Sequence, residues 1–140
     1  MVTTDIGLLA TARYIPRLRL ERKDIFAQHR WMAPGLRSLA QGQKAIAHWD
    51  EDTITLAVEA VRAVLSGAPS RIGALHLAST TFPFAERLNA GVVAAALGLA
   101  PSMLLRDTGS SARAATTELI AALKTPATSD AQLIVAAERR

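Results

Sequence analysis

Residues 103–123 read MLLRDTGSSARAATTELIAAL, a short apolar run, a Gly-Ser-Ser turn and then a stretch whose only charges are Arg113 and Glu118. Met103 to Leu105 is read as a brief strand, with Ser110 or Ser111 able to cap a helix that runs to Leu123. From Ala112 to Leu123, alanine, leucine and isoleucine surround most of the helix circumference, so this helix expects cover on two sides. One small sheet covers only one side. The alternative is that these alanines are simply good helix formers.

The elements on either side fall into alternation. Ile6 to Ile15 is an apolar run stopped by Pro16, followed by Leu18 and Leu20 alternating with Arg17 and Arg19, and reads as one strand or two. Leu20 to His29 reads as a short helix and Arg30 to Asp50 as a long loop, a length that is often functional. Asp52 to Leu65 carries apolar residues at three- and four-residue spacing behind the carboxylates Asp50, Glu51 and Asp52, and is closed by Gly67 and Pro69. Ile72 to Ala78 reads as a buried strand, Ala85 to Leu97 as a helix ended by Gly98 and Pro101, and Gln132 to Ala137 as the last strand. Strands joined by crossover helices imply an α/β fold of βαβαβαβ order with a mostly parallel sheet.

Composition narrows the function classes. The 140 residues fit one domain, and 50% hydrophobic with 20% charged residues is a globular composition. There is no cysteine, so no disulfide, thiolate metal site or cysteine nucleophile is available within this sequence. His29, His48 and His76 stand too far apart in sequence for ligand spacing, each reads as a packed or exposed histidine, and no metal is expected. Neither G-x-x-x-x-G-K nor G-x-G-x-x-G occurs, and Gly109-Ser110-Ser111 lacks the second glycine of a nucleophile elbow. The net charge of +4 suggests an anionic partner, a phosphate-bearing small molecule ahead of nucleic acid, with an ordinary solvated surface ranked ahead of both. Aromatics make up only 4%, and Glu21 and Asp24 interrupt the basic residues, which argues against nucleic acid. The apolar stretch Ala90 to Ala100 is about half of what a membrane helix needs. Without a basic, apolar leader at Met1 to Ala12, the expected location is the cytoplasm.

Several stretches together resemble a known family. Gly7 with Tyr14-Ile15-Pro16-Arg17, Asp50-Glu51-Asp52-Thr53 leading into Ala57-Val58-Glu59-Ala60, Ser79-Thr80-Thr81, Asn89-Ala90-Gly91 and Ala95-Ala96-Leu97-Gly98-Leu99 resemble the N-terminal half of hydroxymethylglutaryl-CoA synthases and the related ketoacyl-ACP synthase III enzymes. The resemblance covers nearly the whole chain and implies a thiolase-like fold, two similar halves around a central pair of helices, of which Ala112 to Leu123 would be one. It further implies that residues 1–140 are one incomplete half, lacking a fifth strand and the second half, and belong to a longer chain or a split, oligomeric protein.

The same resemblance places the family's catalytic cysteine position on Ala112 and its acid-base glutamate on Thr80, so both functions are lost. Ser111 beside the lost thiol is a weak nucleophile unless a base lies within reach, and is read first as a helix cap. In the synthase III relatives a Trp and an Arg hold the adenine of CoA; Trp31 matches the first and Arg37 is nearest to the second, with Trp31 as a loop-anchoring core residue the alternative. The implied function is handling of acyl-CoA or acyl-carrier thioesters as substrates, with no cofactor and no cysteine. The chemistry would be C–C cleavage or decarboxylation with a partner. The other reading is a non-catalytic subunit that completes a thiolase-fold complex.

Overall fold

In a computed structural model, residues 6–67, 71–125 and 130–139 are described, and they divide into two compact units, Ile15–Asp50 on one hand and residues 6–14 with 51–139 on the other. The second and larger unit carries the parallel sheet. Its strands are β3 (Ile72–Ala78), β4 (Leu104–Thr108) and β5 (Ala131–Ala136), in the order β4-β3-β5 and all parallel. Helices α3 (Asn89–Ala96) and α4 (Ala114–Lys124) connect them, and α2 (Thr53–Leu65) leads into β3.

Alternation along β3 divides the unit into layers. Leu75 and Leu77 are fully buried in a core with Ile54, Val58 and Val61 of α2, Val93 of α3 and Val135 of β5. On the other face His76 lies opposite Arg106 and Ile134, and α4 covers it. α4 buries Ala114 and Glu118 on that side, while Ile120 and Leu123 remain exposed on the other.

The three carboxylates read as one capping cluster have separate roles. Asp52 alone caps α2, accepting from Thr55 N at 2.8 Å while its own N–H donates to Thr55 Oγ1 at 2.7 Å. Glu51 accepts the Tyr14 hydroxyl, and Asp50 pairs with His48. Pro69, read as closing α2, lies outside the described residues.

Several boundaries differ from the reading of the sequence. No strand forms over Ile6 to Ile15, where Leu8 and Leu9 are exposed; an apolar run needs a neighbouring edge to pair with. The first strand is β1 (Leu18–Glu21), and it pairs antiparallel with β2 (Gln43–Ile46), inside the segment read as loop. Between them lie α1 (Arg22–His29) and a short 3-10 turn, Pro34–Leu39. α3 starts at Asn89 rather than Ala85 because the Asp107 carboxylate takes the N–H groups of Asn89 and Ala90, both at 2.7 Å. β4 runs on to Thr108 rather than ending at Leu105. Among the described residues no helix is long and apolar enough to cross a membrane.

Candidate functional site

The carboxyl ends of the three parallel strands converge, the usual place for a site in an open α/β sheet. β3 runs into Ser79-Thr80-Thr81, β4 into Gly109-Ser110-Ser111-Ala112 and β5 into Ala137-Glu138. A cleft of about 490 Å³ opens here, with Ser79, Thr80, Phe82, Phe84, Arg87 and Ser110 among its lining residues. The Arg87 guanidinium lies over the Phe84 ring, 5.0 Å from its centre, and brings a positive charge to the rim.

A hydroxyl network fixes the β3 end. Thr53, fully buried in the first turn of α2, donates to the Thr81 carbonyl at 2.8 Å, and its hydroxyl also meets that of Thr81 at 2.8 Å. Ser79 Oγ accepts the Thr81 N–H at 2.9 Å. From the end of β5, Glu138 accepts the Thr80 N–H at 2.7 Å and the Thr80 hydroxyl at 2.8 Å. The position read as having lost a glutamate therefore holds a carboxylate from another strand, which no local motif announces, since 58 residues separate the two.

The turn between β4 and α4 is tight. A Cβ at Gly109 would lie 3.3 Å from the Phe82 ring and 3.4 Å from the Ser79 carbonyl, so a side chain there fits only if these neighbours give by a few tenths of an ångström. Ser110 adopts φ 67°, the only non-glycine residue with positive φ among the described residues. Such a conformation costs about 1 to 3 kcal/mol and persists where the surroundings impose it. Helix α4 then begins at Ala114 rather than Ala112, with Arg113 at the capping position and no side-chain cap. Ser111 Oγ instead accepts the Arg113 N–H at 3.1 Å, holding the turn just ahead of the helix. Ala112 is exposed at that turn.

Beneath the site lies a buried ionic cluster that sequence reading did not find. Glu118 accepts from Thr108 Oγ1 at 2.6 Å, faces His76 Nδ1 at 2.8 Å and meets Arg106 Nη1 at 3.3 Å. Burial pushes the Glu118 carboxyl upward, but the hydrogen bonds from Thr108 and His76 and the charges of Arg106 and His76 outweigh it and hold the group below its ordinary range. His76 is packed, not exposed, and its buried Nε2 has no protein partner among the described residues. The signal available in sequence was a lone glutamate on an apolar helix, which needs a buried partner.

Thr80 and Ser110 line one cleft, with Ser111 and Ala112 next along the chain. Trp31 and Arg37 belong to the Ile15–Asp50 unit. Trp31 is 80% exposed there, which corrects its reading as a core anchor, and Arg37 sits in the 3-10 turn, also exposed. Among the described residues no group of three or more His, Asp or Glu is arranged to hold a metal.

No protein-family model matches the chain. Hydroxymethylglutaryl-CoA synthase of Methanosarcina mazei is 36% identical over 106 residues, which are 73% of this chain and 30% of that protein. The enzyme of Methanococcus maripaludis is 32% identical over 107 residues, 74% of this chain and 31% of that protein. Among solved structures, MvaS in complex with 3-hydroxy-3-methylglutaryl coenzyme A superposes with a TM-score of 0.71 at 27% identity, covering 88% of this chain and 30% of that one. The HMG synthase of the curacin biosynthetic pathway, in complex with acetyl donor-ACP, superposes with a TM-score of 0.75 at 17% identity over 95% of this chain and 34% of that one, a likeness of fold. The chain thus spans about 30% of the length of the curated relatives it matches. With the parallel sheet, its helices and these relatives in agreement, the chain belongs to the thiolase superfamily and is like the N-terminal half of a hydroxymethylglutaryl-CoA synthase.

Proposed function

We propose that this polypeptide handles acyl-CoA or acyl-carrier thioesters in the cytoplasm without forming an acyl-enzyme. What supports this reading is Ala112, at the turn into α4, the residue that the resemblance matches to the family's nucleophile, in a sequence with no cysteine. Alanine has no atom that attacks a carbonyl. What remains possible at such a site is chemistry through an enolate. In decarboxylation the C–C bond breaks with loss of CO2, and in retro-aldol cleavage it breaks as the β-hydroxyl gives its proton to a base and becomes a carbonyl; in both the electron pair moves into the thioester as an enolate, and a proton then returns to carbon. Fixed donors around the thioester oxygen lower that barrier without a covalent intermediate. Trp31 and Arg37 are proposed to take the adenine end of CoA, since an indole and a guanidinium both stack on a purine.

A second reading has its own support. The outward side of α4 exposes Ile120 and Leu123, and β4 and β5 are the outer strands of the sheet. Apolar surface and open edges both favour association, so the chain would complete a thiolase fold together with a second half, supplied by further sequence or by a partner.

Calorimetric titration of the complete assembly with acetyl-CoA and 3-hydroxy-3-methylglutaryl-CoA, with product analysis by mass spectrometry, tests the first reading. Binding with release of a shortened thioester supports it. Binding without turnover favours the structural role, and no binding removes both Trp31 and Arg37 from the site.

A further inference from the structure

Ser79, Thr80, Ser110 and Asp107 bring hydroxyl and carboxylate groups to the lining of the cleft. Their surroundings differ. Asp107 is spent on α3: its oxygens take the Asn89 N–H at 2.7 Å, the Asn89 side-chain amide at 2.9 Å and the Ala90 N–H at 2.7 Å. Ser79 Oγ holds the Thr81 N–H at 2.9 Å. Among the described residues no carboxylate bonds the hydroxyl of Ser79 or of Ser110.

Thr80 alone of these hydroxyls is backed by one. Both of its donors go to Glu138, the N–H to Oε1 at 2.7 Å and the hydroxyl to Oε2 at 2.8 Å. A carboxylate accepts and does not donate, so the clasp pins the Thr80 hydrogen on Glu138 and leaves the lone pairs of Oγ1 for a ligand. The Thr81 hydroxyl also meets Glu138 Oε2, at 3.3 Å, and the Arg139 N–H reaches Thr81 Oγ1 at 3.2 Å, so the end of β5 is tied to that of β3 beside the clasp. An amide N–H keeps its proton, and a carboxylate held by amides, as Asp107 is, only fixes structure. A hydroxyl passes its own proton on as it accepts another.

We propose that Thr80 and Glu138 form the proton relay of this cleft, with Thr80 Oγ1 the atom that touches substrate and Glu138 acting through it. The inference rests on the thioester reading above and fits its retro-aldol form. The substrate's β-hydroxyl gives its proton to Thr80 Oγ1 while the Thr80 hydrogen moves to Glu138 Oε2. The C–C bond breaks, the hydroxyl carbon becomes a carbonyl, and the electron pair enters the thioester as an enolate. The proton then returns from Glu138 through Thr80 to the enolate carbon, which restores the carboxylate. The oxygen that loses the proton and the carbon that gains it are both bonded to the same carbon before cleavage, so one relay serves both. No outside acid or base is consumed. Decarboxylation has no such hydroxyl proton to return. The role that the resemblance assigns to a glutamate at position 80 thus passes to a carboxylate 58 residues further on.

Run backwards, the last step exchanges the C2 hydrogens of an acyl thioester with solvent, which tests the relay without any cleavage. The probe is acetyl-CoA in D2O with the complete assembly, deuterium at C2 being read by NMR and affinity by calorimetry. The parent is expected to exchange. Thr80→Val keeps the shape and the N–H bond but removes the hydroxyl, and should slow exchange about 100-fold with affinity changed less than about threefold. Thr80→Ser should restore the rate to within about fivefold of the parent. Thr80 is exposed, so neither change threatens the fold. Glu138→Gln, which keeps the shape but not the proton acceptor, should slow exchange as Thr80→Val does. Acetyl-CoA binding without exchange in the parent, or exchange unchanged in Thr80→Val or Glu138→Gln, overturns the relay and leaves the thioester reading standing. Loss of affinity in step with rate, with no rescue by Thr80→Ser, makes the clasp structural and also overturns it. Absence of acetyl-CoA binding overturns the thioester reading and the relay with it.

Discussion

At the carboxyl edge of the parallel sheet, charged side chains are spent inward. Glu118 binds Thr108, His76 and Arg106, Asp107 holds the start of α3, and Glu138 clasps Thr80. In the Ile15–Asp50 unit the cations point to solvent, and no side chain is buried. The first region uses charge to fix geometry, because in a low-dielectric interior an unpaired ion costs several kcal/mol. The second leaves six of its seven cations exposed and without a hydrogen-bond or ion-pair partner among the described residues. Mutations should therefore act on stability in the first region and on binding in the second.

The largest effect is expected at Glu118. Glu118→Ala strands the buried His76 and the half-buried Thr108, and should cost about 3 to 5 kcal/mol in urea unfolding of the assembly. Replacing both Glu118 and His76 by leucine should recover at least half of that loss, since only the half-buried Thr108 hydroxyl and the exposed Arg106 then lack their partner. If the double variant is as unstable as the single, the cluster is not the unit described here.

Its pH dependence follows from the sign of the Glu118 shift. The folded carboxyl titrates below its unfolded value, so the ion stabilises the fold above the ordinary glutamate range, and that contribution is lost as pH falls through the folded pKa. Urea midpoints should thus drop on acidification, and the drop should be smaller in Glu118→Gln.

A smaller loss, about 2 kcal/mol, is expected for Asp107→Ala, which removes the acceptor for the Asn89 and Ala90 N–H groups. Hydrogen exchange should then rise at the first turn of α3 ahead of the rest of the helix. Least affected is the stability of Trp31→Ala, expected within about 0.5 kcal/mol of the parent because the indole is exposed. The same substitution should weaken acyl-CoA binding by about 1 to 3 kcal/mol in calorimetry. A large stability loss there would erase the contrast between the two regions.

How much of this was legible follows the same division. α2 and β3 could be read closely from the sequence, since an amphipathic period and a continuous apolar run report local burial. β4 was read short because Arg106 and Asp107 interrupt its apolar run, and only the fold reveals Glu118 and the start of α3 as their partners. The β1–β2 ribbon was read as strand plus loop, since an exposed two-stranded ribbon buries no periodic face. At the site, the resemblance pointed to Thr80 and Ala112. The Glu138 clasp and the left-handed Ser110 depend on contacts across the sheet ends that spacing along the chain does not encode.

The claim on which the functional account turns is that thioester handling here proceeds without an acyl-enzyme because the residue at the nucleophile position is Ala112. Intact-protein mass spectrometry after incubating the complete assembly with acetyl-CoA tests it directly. The account predicts an unchanged mass for the parent chain and an added acetyl group in the Ala112→Cys variant, which returns a thiol to the turn before α4. An acetyl adduct mapped to Ser111 of the parent chain would contradict it and make that serine the nucleophile.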